Sequence, residues 1–143
     1  MNLLLDTHAF LWLLGEPNRL PGGLVAVLED PVNRVLVSAA SVMEVATKVR
    51  IGKLPTASHL VDPAVWSSRS RQMGLEPLPI TQDHALAAGS LAWDHRDPFD
   101  RLLAAQALTG DLVLVSRDSA FGAVPSLRVI WHCPGGGDPA LSS

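Results

Sequence analysis

The chain has no tyrosine, three phenylalanines and a single cysteine, and each shortage excludes something. Cys133 alone cannot close an intramolecular disulfide or build a thiolate cluster. It reads as a small apolar residue near the end of the last strand, in a reducing compartment. Nowhere do about 18 apolar residues run uninterrupted, and no basic stretch precedes the first apolar segment, which itself contains Asp6. A membrane-spanning helix and an export leader are therefore not expected, and the reading is a cytoplasmic chain. Positive charge is also short. A net charge of −3 and a pI of about 5.9 exclude a general basic coat, so polyanion binding would need local arginines or bridging cations.

What is present suits a folded core. Apolar residues make up 48% and charged residues 17% of 143 residues, enough for one domain that buries roughly two thirds of its unfolded surface. That core is aliphatic, with Trp12, Trp66, Trp93 and Trp131 spread along it. The expected domain is 1–133, followed by a disordered tail, PGGGDPALSS, at 134–143.

Hydrophobic spacing gives the elements. LLL before Asp6 reads as a buried strand, and THAFLWLLG as a helix stopping at Gly15. LVAVLED is a short helix, and Arg34 to Ser38 an apolar strand. In AASVMEVATKVRI, Val42, Val45, Ala46 and Val49 recur at helical spacing, so an amphipathic helix carrying Glu44 ends near Gly52. A further helix spans about Pro63 to Met73. GLEPLPI is a short strand whose two prolines suit an edge. Thr81 caps a helix running through HALAAGSLAW, and Asp97-Pro98 opens another that reaches about Thr109. LVLVS and LRVIW are the last strands. Strands alternating with helices predict an α/β three-layer sandwich, with a mainly parallel sheet and helices on both faces.

Sheets of this kind bind ligands beyond the carboxyl ends of their strands. Asp6 ends the first strand, Asp118 lies two residues past LVLVS, Asp100 stands in the first turn of the helix before it, and Glu44 projects from the helix after the second strand. Confined carboxylates repel one another unless a cation neutralises them, so the four imply a hard divalent ion, Mg²⁺ or Mn²⁺. Without a Cys/His cluster at ligand spacing, zinc is disfavoured. Such ions can activate a water and stabilise the leaving oxygen of a phosphodiester.

Simpler roles compete for each residue. Asp6, Asp97 and Asp118 are placed to cap helices or turns, and capping is the main reading for Asp97. Glu44 could pair with Lys48 on an exposed face. His84 and His95 read as caps or packed side chains. Arg50, Arg69, Arg71, Arg96, Arg101 and Arg117 are possible phosphate contacts only where they cluster.

Four strings resemble PIN-domain VapC toxins: LLDTHAFLWLL at 4–14, SAASVMEVATKVRIGKL at 38–54, HRDPFDRLLAAQAL at 95–108 and LVLVSRDSAFGAV at 112–124. In this order they cover nearly the whole chain as far as Trp131. The resemblance implies a PIN fold and a Mg²⁺- or Mn²⁺-dependent endoribonuclease, the toxin of a type II toxin-antitoxin pair. Its acids correspond to Asp6, Glu44, Asp100 and Asp118. It further implies an RNA substrate, a cognate antitoxin whose tail enters the acidic groove, and a homodimer. Two departures stand out, Met43 where relatives of this subgroup generally have Trp and Ser116 where Thr is common. Met fills an apolar gap and Ser keeps the hydroxyl, so both bear on groove shape rather than on the carboxylates.

Two other functions stay open on sequence. One is a PIN-fold RNA- or protein-binding module without turnover. The other is a Mg²⁺-dependent phosphoryl-accepting receiver, disfavoured because Asp6 stands alone and Arg117 rather than a lysine follows LVLVS. A phosphatase with an aspartyl nucleophile would show D-x-D, where this chain has His8.

Overall fold

The computed structural model describes residues 1–132. The expected tail and the reading of Cys133 lie outside them.

The aliphatic run after Met1 forms β1 (Asn2–Leu5), whose Leu3, Leu4 and Leu5 are fully buried. It can be apolar on both faces because it is the central strand. Asp6 then turns the chain into α1 (Thr7–Gly15), and a short α2 (Leu24–Glu29) follows. β2 (Arg34–Ser38) leads directly into α3 (Ala39–Arg50), with Ser38 as the N-cap between them. α4 (Pro63–Gln72), capped by Asp62, precedes β3 (Leu75–Leu78). α5 (Gln82–Ser90) opens on a capping box in which Thr81 and His84 bond each other's backbone N–H groups. α6 (Pro98–Thr109) starts on Asp97, β4 spans Val113–Val115 and β5 spans Val129–Ile130.

All strand pairs are parallel, in the order β3-β2-β1-β4-β5. The strand carrying Pro77 is an edge strand, as its prolines predict. Alternate residues of β1, β2 and β4 feed two cores. Leu3, Leu5, Val35, Val37 and Val115 pack with Phe10 and Leu13 of α1 and Leu24 of α2. Leu4, Leu36 and Leu114 face the other way, against Leu103, Ala104 and Ala107 of α6. The sandwich therefore has three layers, with helices on both faces.

One expectation needs correction. α5 stops at Ser90, short of Trp93, because Leu91 adopts an extended backbone. Tight 3₁₀ turns at Pro17–Arg19, Pro55–Val61 and Ser119–Ala123 occupy segments that show no helical periodicity. Among the described residues no helix is long and apolar enough to cross a membrane.

Candidate active site

Register sets the site. Leu5 lies opposite Val37 on one side and Val115 on the other, so the three central strands end level. The next residues, Asp6, Ser38 and Ser116, therefore share one rim. The buried polar side chains of the described chain gather there or bond to it: Asp6, Thr7, Ser38, Ser41, Glu44, Gln106 and Ser116. Polar burial is costly unless satisfied, so this concentration in an otherwise aliphatic core singles out the rim as the candidate site.

Asp6 is only 8% exposed. Its carboxylate accepts from the backbone N–H of Ala9 at 2.8 Å and from the Ser116 hydroxyl. Burial nevertheless raises its pKa, and Glu44 adds to the rise, while Ser116, Ala9 and His8 oppose it. Glu44 is 6% exposed. Its Oε1 accepts from Thr7 Oγ1, whose hydroxyl also approaches Ser41 Oγ at 3.0 Å, and its Oε2 pairs with Lys48 Nζ at 2.7 Å. The Glu44–Lys48 pair expected at a surface does form, but its acid is buried.

Asp100 sits at the third position of α6, beneath an Asp97 cap that accepts from the N–H groups of Phe99 and Asp100. Its Oδ2 lies 2.7 Å from His95 Nε2. Burial lifts its carboxyl to about 6, Asp97 and Glu44 push in the same direction, and His95 opposes them. Glu44 thus acts electrostatically on both Asp6 and Asp100. Asp118 stands apart. It is exposed and caps the following turn by accepting from Ala120 N, and Ser116 connects it to Asp6 by accepting from Asp118 N at 3.0 Å.

The donor set, carboxylates and hydroxyls on a strand-end rim, is chemically right for a hard divalent cation. It is not a preformed cage: among the described residues no three His, Cys, Asp or Glu side chains stand together as ion ligands. Asp6, Glu44 and Asp100 are each engaged by protein partners instead.

Four contributors escaped the sequence reading. Thr7 and Ser41 carry no motif beyond a hydroxyl. His95, read as a cap or packed residue, bonds Asp100 and also stacks on Trp93 at 4.6 Å. Arg101, considered for phosphate, instead spends its guanidinium on the carbonyls of Ala88, Leu91, Trp93 and His95.

Comparison with known proteins agrees with this architecture. The PIN domain family profile matches residues 3–127. The chain belongs to the PIN domain family. Over 67 residues it is 40% identical to Ribonuclease VapC16 of Mycobacterium tuberculosis, a stretch that covers 44% of this chain and 42% of that protein. The PIN chain matched here thus spans less than half the length of this curated relative. The VapBC2 complex of Rickettsia felis, bound to a promoter DNA fragment, superposes with a TM-score of 0.66 at 19% identity, covering 91% of this chain and 98% of that one. FitAcB of Neisseria gonorrhoeae superposes at 0.54 and 22% identity, covering 92% and 99%. At these identities the superpositions speak for the fold.

Proposed function

We propose that this PIN-domain chain is a divalent-metal-dependent endoribonuclease, acting in the cytoplasm as the toxin of a type II toxin-antitoxin pair. The observation that carries the reading is the placement of buried Asp6 and Glu44 and half-buried Asp100 beyond the strand ends, where desolvation and the charge of Glu44 push both aspartates upward. The ribonuclease named among the relatives and the VapBC complexes among the structural neighbours support it.

Asp6, Glu44 and Asp100 would hold Mg²⁺, or Mn²⁺ in its place, with Asp118 joining directly or through water. When bound, the cation supplies Lewis acidity at the scissile phosphate and activates the attacking water. The chain's part is to fix the acids. Ser116 and the α1 N-terminus orient Asp6, Thr7 orients Glu44, and His95 orients Asp100. Lys48 neutralises Glu44 while no other cation does. The cognate antitoxin and a homodimer complete the proposed assembly.

One feature favours a binding module without turnover, namely that the acids do not form a ready cage. A single assay separates the readings. Purified protein is incubated with a mixed set of structured RNAs in Mg²⁺, in Mn²⁺ and in EDTA, beside Asp6→Asn and Asp100→Asn. Cleavage that requires metal and disappears in both variants is expected. Retained cleavage by Asp6→Asn, with contaminating nucleases excluded, would sink the assignment.

A further inference from the structure

The acids leave one difficulty: a carboxylate rim in a chain of net charge −3 must still attract a polyanion. A second surface, next to Asp6, has the opposite character. His8 and Trp12 lie four residues apart on α1, with their rings 5.8 Å apart. The Arg19 guanidinium stands 4.4 Å from the Trp12 ring centroid and that of Arg117 6.0 Å, while Trp131 meets the same ring edge-on at 5.7 Å. Beside Trp12 a cleft of about 610 Å³ opens between α1 and the Pro55–Val61 turn, and Arg19, Arg69, His8 and His59 line it. Glu16 is the one carboxylate among its described lining residues, and its 3.4 Å pair with Arg19 is exposed at both ends. Such a pair is weakly held, so Arg19 can exchange it for a phosphate.

The cleft is tied to the acids by the chain itself. Asp6 caps the helix that carries His8 and Trp12, and Ser116, which bonds Asp6, is followed immediately by Arg117. Aromatic faces interleaved with guanidiniums suit a single-stranded nucleic acid, whose bases and phosphates alternate in the same way. Arg69 is already anchored by a 3.0 Å bond to the Leu14 carbonyl at the end of α1, which holds it in place at little further entropic cost.

We infer that this cleft is a subsite for single-stranded RNA: Trp12, with His8, stacks a base flanking the cleavage point, and Arg19, Arg69 and Arg117 contact the phosphates beside it. The inference rests on the nuclease reading and adds the surface that brings the strand to the acids. Stacking of this kind tolerates any base, so the subsite supplies affinity and placement rather than sequence discrimination.

The test uses the full chain, a fluorescein-labelled single-stranded RNA of mixed sequence, and EDTA to prevent turnover. Binding is read by anisotropy and by tryptophan fluorescence for wild type, Trp12→Leu and Arg19→Ala, with thermal melts to verify folding. Arg19 is exposed, so its variant remains informative even if Trp12→Leu is poorly folded. Expected are tryptophan quenching by RNA that Trp12→Leu diminishes, binding weakened about tenfold in that variant, and a log–log salt slope shallower by about 0.7 in Arg19→Ala. Wild-type affinity, quenching and salt slope in both variants would overturn the subsite and leave the cleft to a protein segment. The parent reading fails separately: a wild type that binds through Trp12 but never cleaves in Mg²⁺ or Mn²⁺ keeps the cleft and loses the nuclease.

Discussion

His95 Nε2 lies 2.7 Å from Asp100 Oδ2, and the same imidazole stacks on Trp93. The histidine opposes the upward push that burial, Asp97 and Glu44 exert on Asp100. His95→Phe keeps an aromatic ring for Trp93 and removes the hydrogen bond. The Asp100 carboxyl is then expected to titrate higher than its present value of about 6. Carbon-13 shifts of the aspartate side chains, followed through pH, report this, and a downward move would contradict the assigned balance.

The raised carboxyl also makes stability depend on pH. Between the ordinary value of 3.8 and about 6 the native chain holds more protons at Asp100 than the unfolded chain does, so stability falls as pH rises through that window. The penalty is absent below about pH 4 and complete above about pH 7. Asp100→Asn should therefore be more stable than wild type at the upper end, by roughly 1 kcal/mol after allowance for partial exposure, and no more stable at the lower end. Mg²⁺ should narrow the gap by stabilising wild type. Thermal melts at the two pH extremes, with and without the ion, decide it; an advantage that persists in acid would point to some other cause.

Much of this was readable from residues. β1 and β4 are runs of Leu and Val bounded by polar residues, and Asp6, Ser38, Thr81 and Asp97 each precede a helix with a side chain able to accept its first N–H groups. That Asp6 stands on the rim beyond the strand ends could be read from its place after β1, because parallel strands in register end together, and Glu44 and Asp100 are expected near it from the helices that adjoin β2 and β4. The end of α5 could not be read in this way. Trp93 continues the apolar pattern of the preceding helix, yet Arg101 draws the carbonyls of Leu91 and Trp93 out of any helical path. A contact between two separate elements decided it, and no local period encodes that. The burial of Glu44 was hidden for a similar reason: an acid four residues before a lysine looks the same on a wet surface as beneath Thr7 and Ser41.

Lys48 occupies the position of a resident counter-cation. Its ammonium is 2.7 Å from the buried Glu44 carboxylate while its side chain remains 31% exposed. Lys48→Met leaves that carboxylate without its cation, and the metal-free protein should lose roughly 1 to 3 kcal/mol in urea unfolding. The same variant should gain more than wild type from added Mg²⁺, because an ion no longer competes with the ammonium. Equal gains in the two proteins would show that Lys48 does not contend for the site.

Arg101 supports the loop that carries His95. Its Nε donates to the Ala88 carbonyl at 2.9 Å, one terminal nitrogen to Trp93 and His95 at 2.7 and 2.9 Å, and the other to Leu91 at 2.7 Å. These bonds tie residues 88–95 to the helix that carries Asp100, so the planar fork of a guanidinium sets where His95 meets its carboxylate. Lysine keeps the charge but offers a single donor point and cannot span those acceptors. Arg101→Lys is expected to cost about 2 to 3 kcal/mol, since each charged bond lost uncovers a carbonyl in a partly buried loop. Hydrogen exchange should rise through residues 91–97 while β1 and β2 stay protected, which separates loosening of this loop from general unfolding. Unchanged exchange there, in a variant that melts like wild type, would mean that the loop is held by the stacking of Trp93 on His95 and its tilted contact with Phe121 instead.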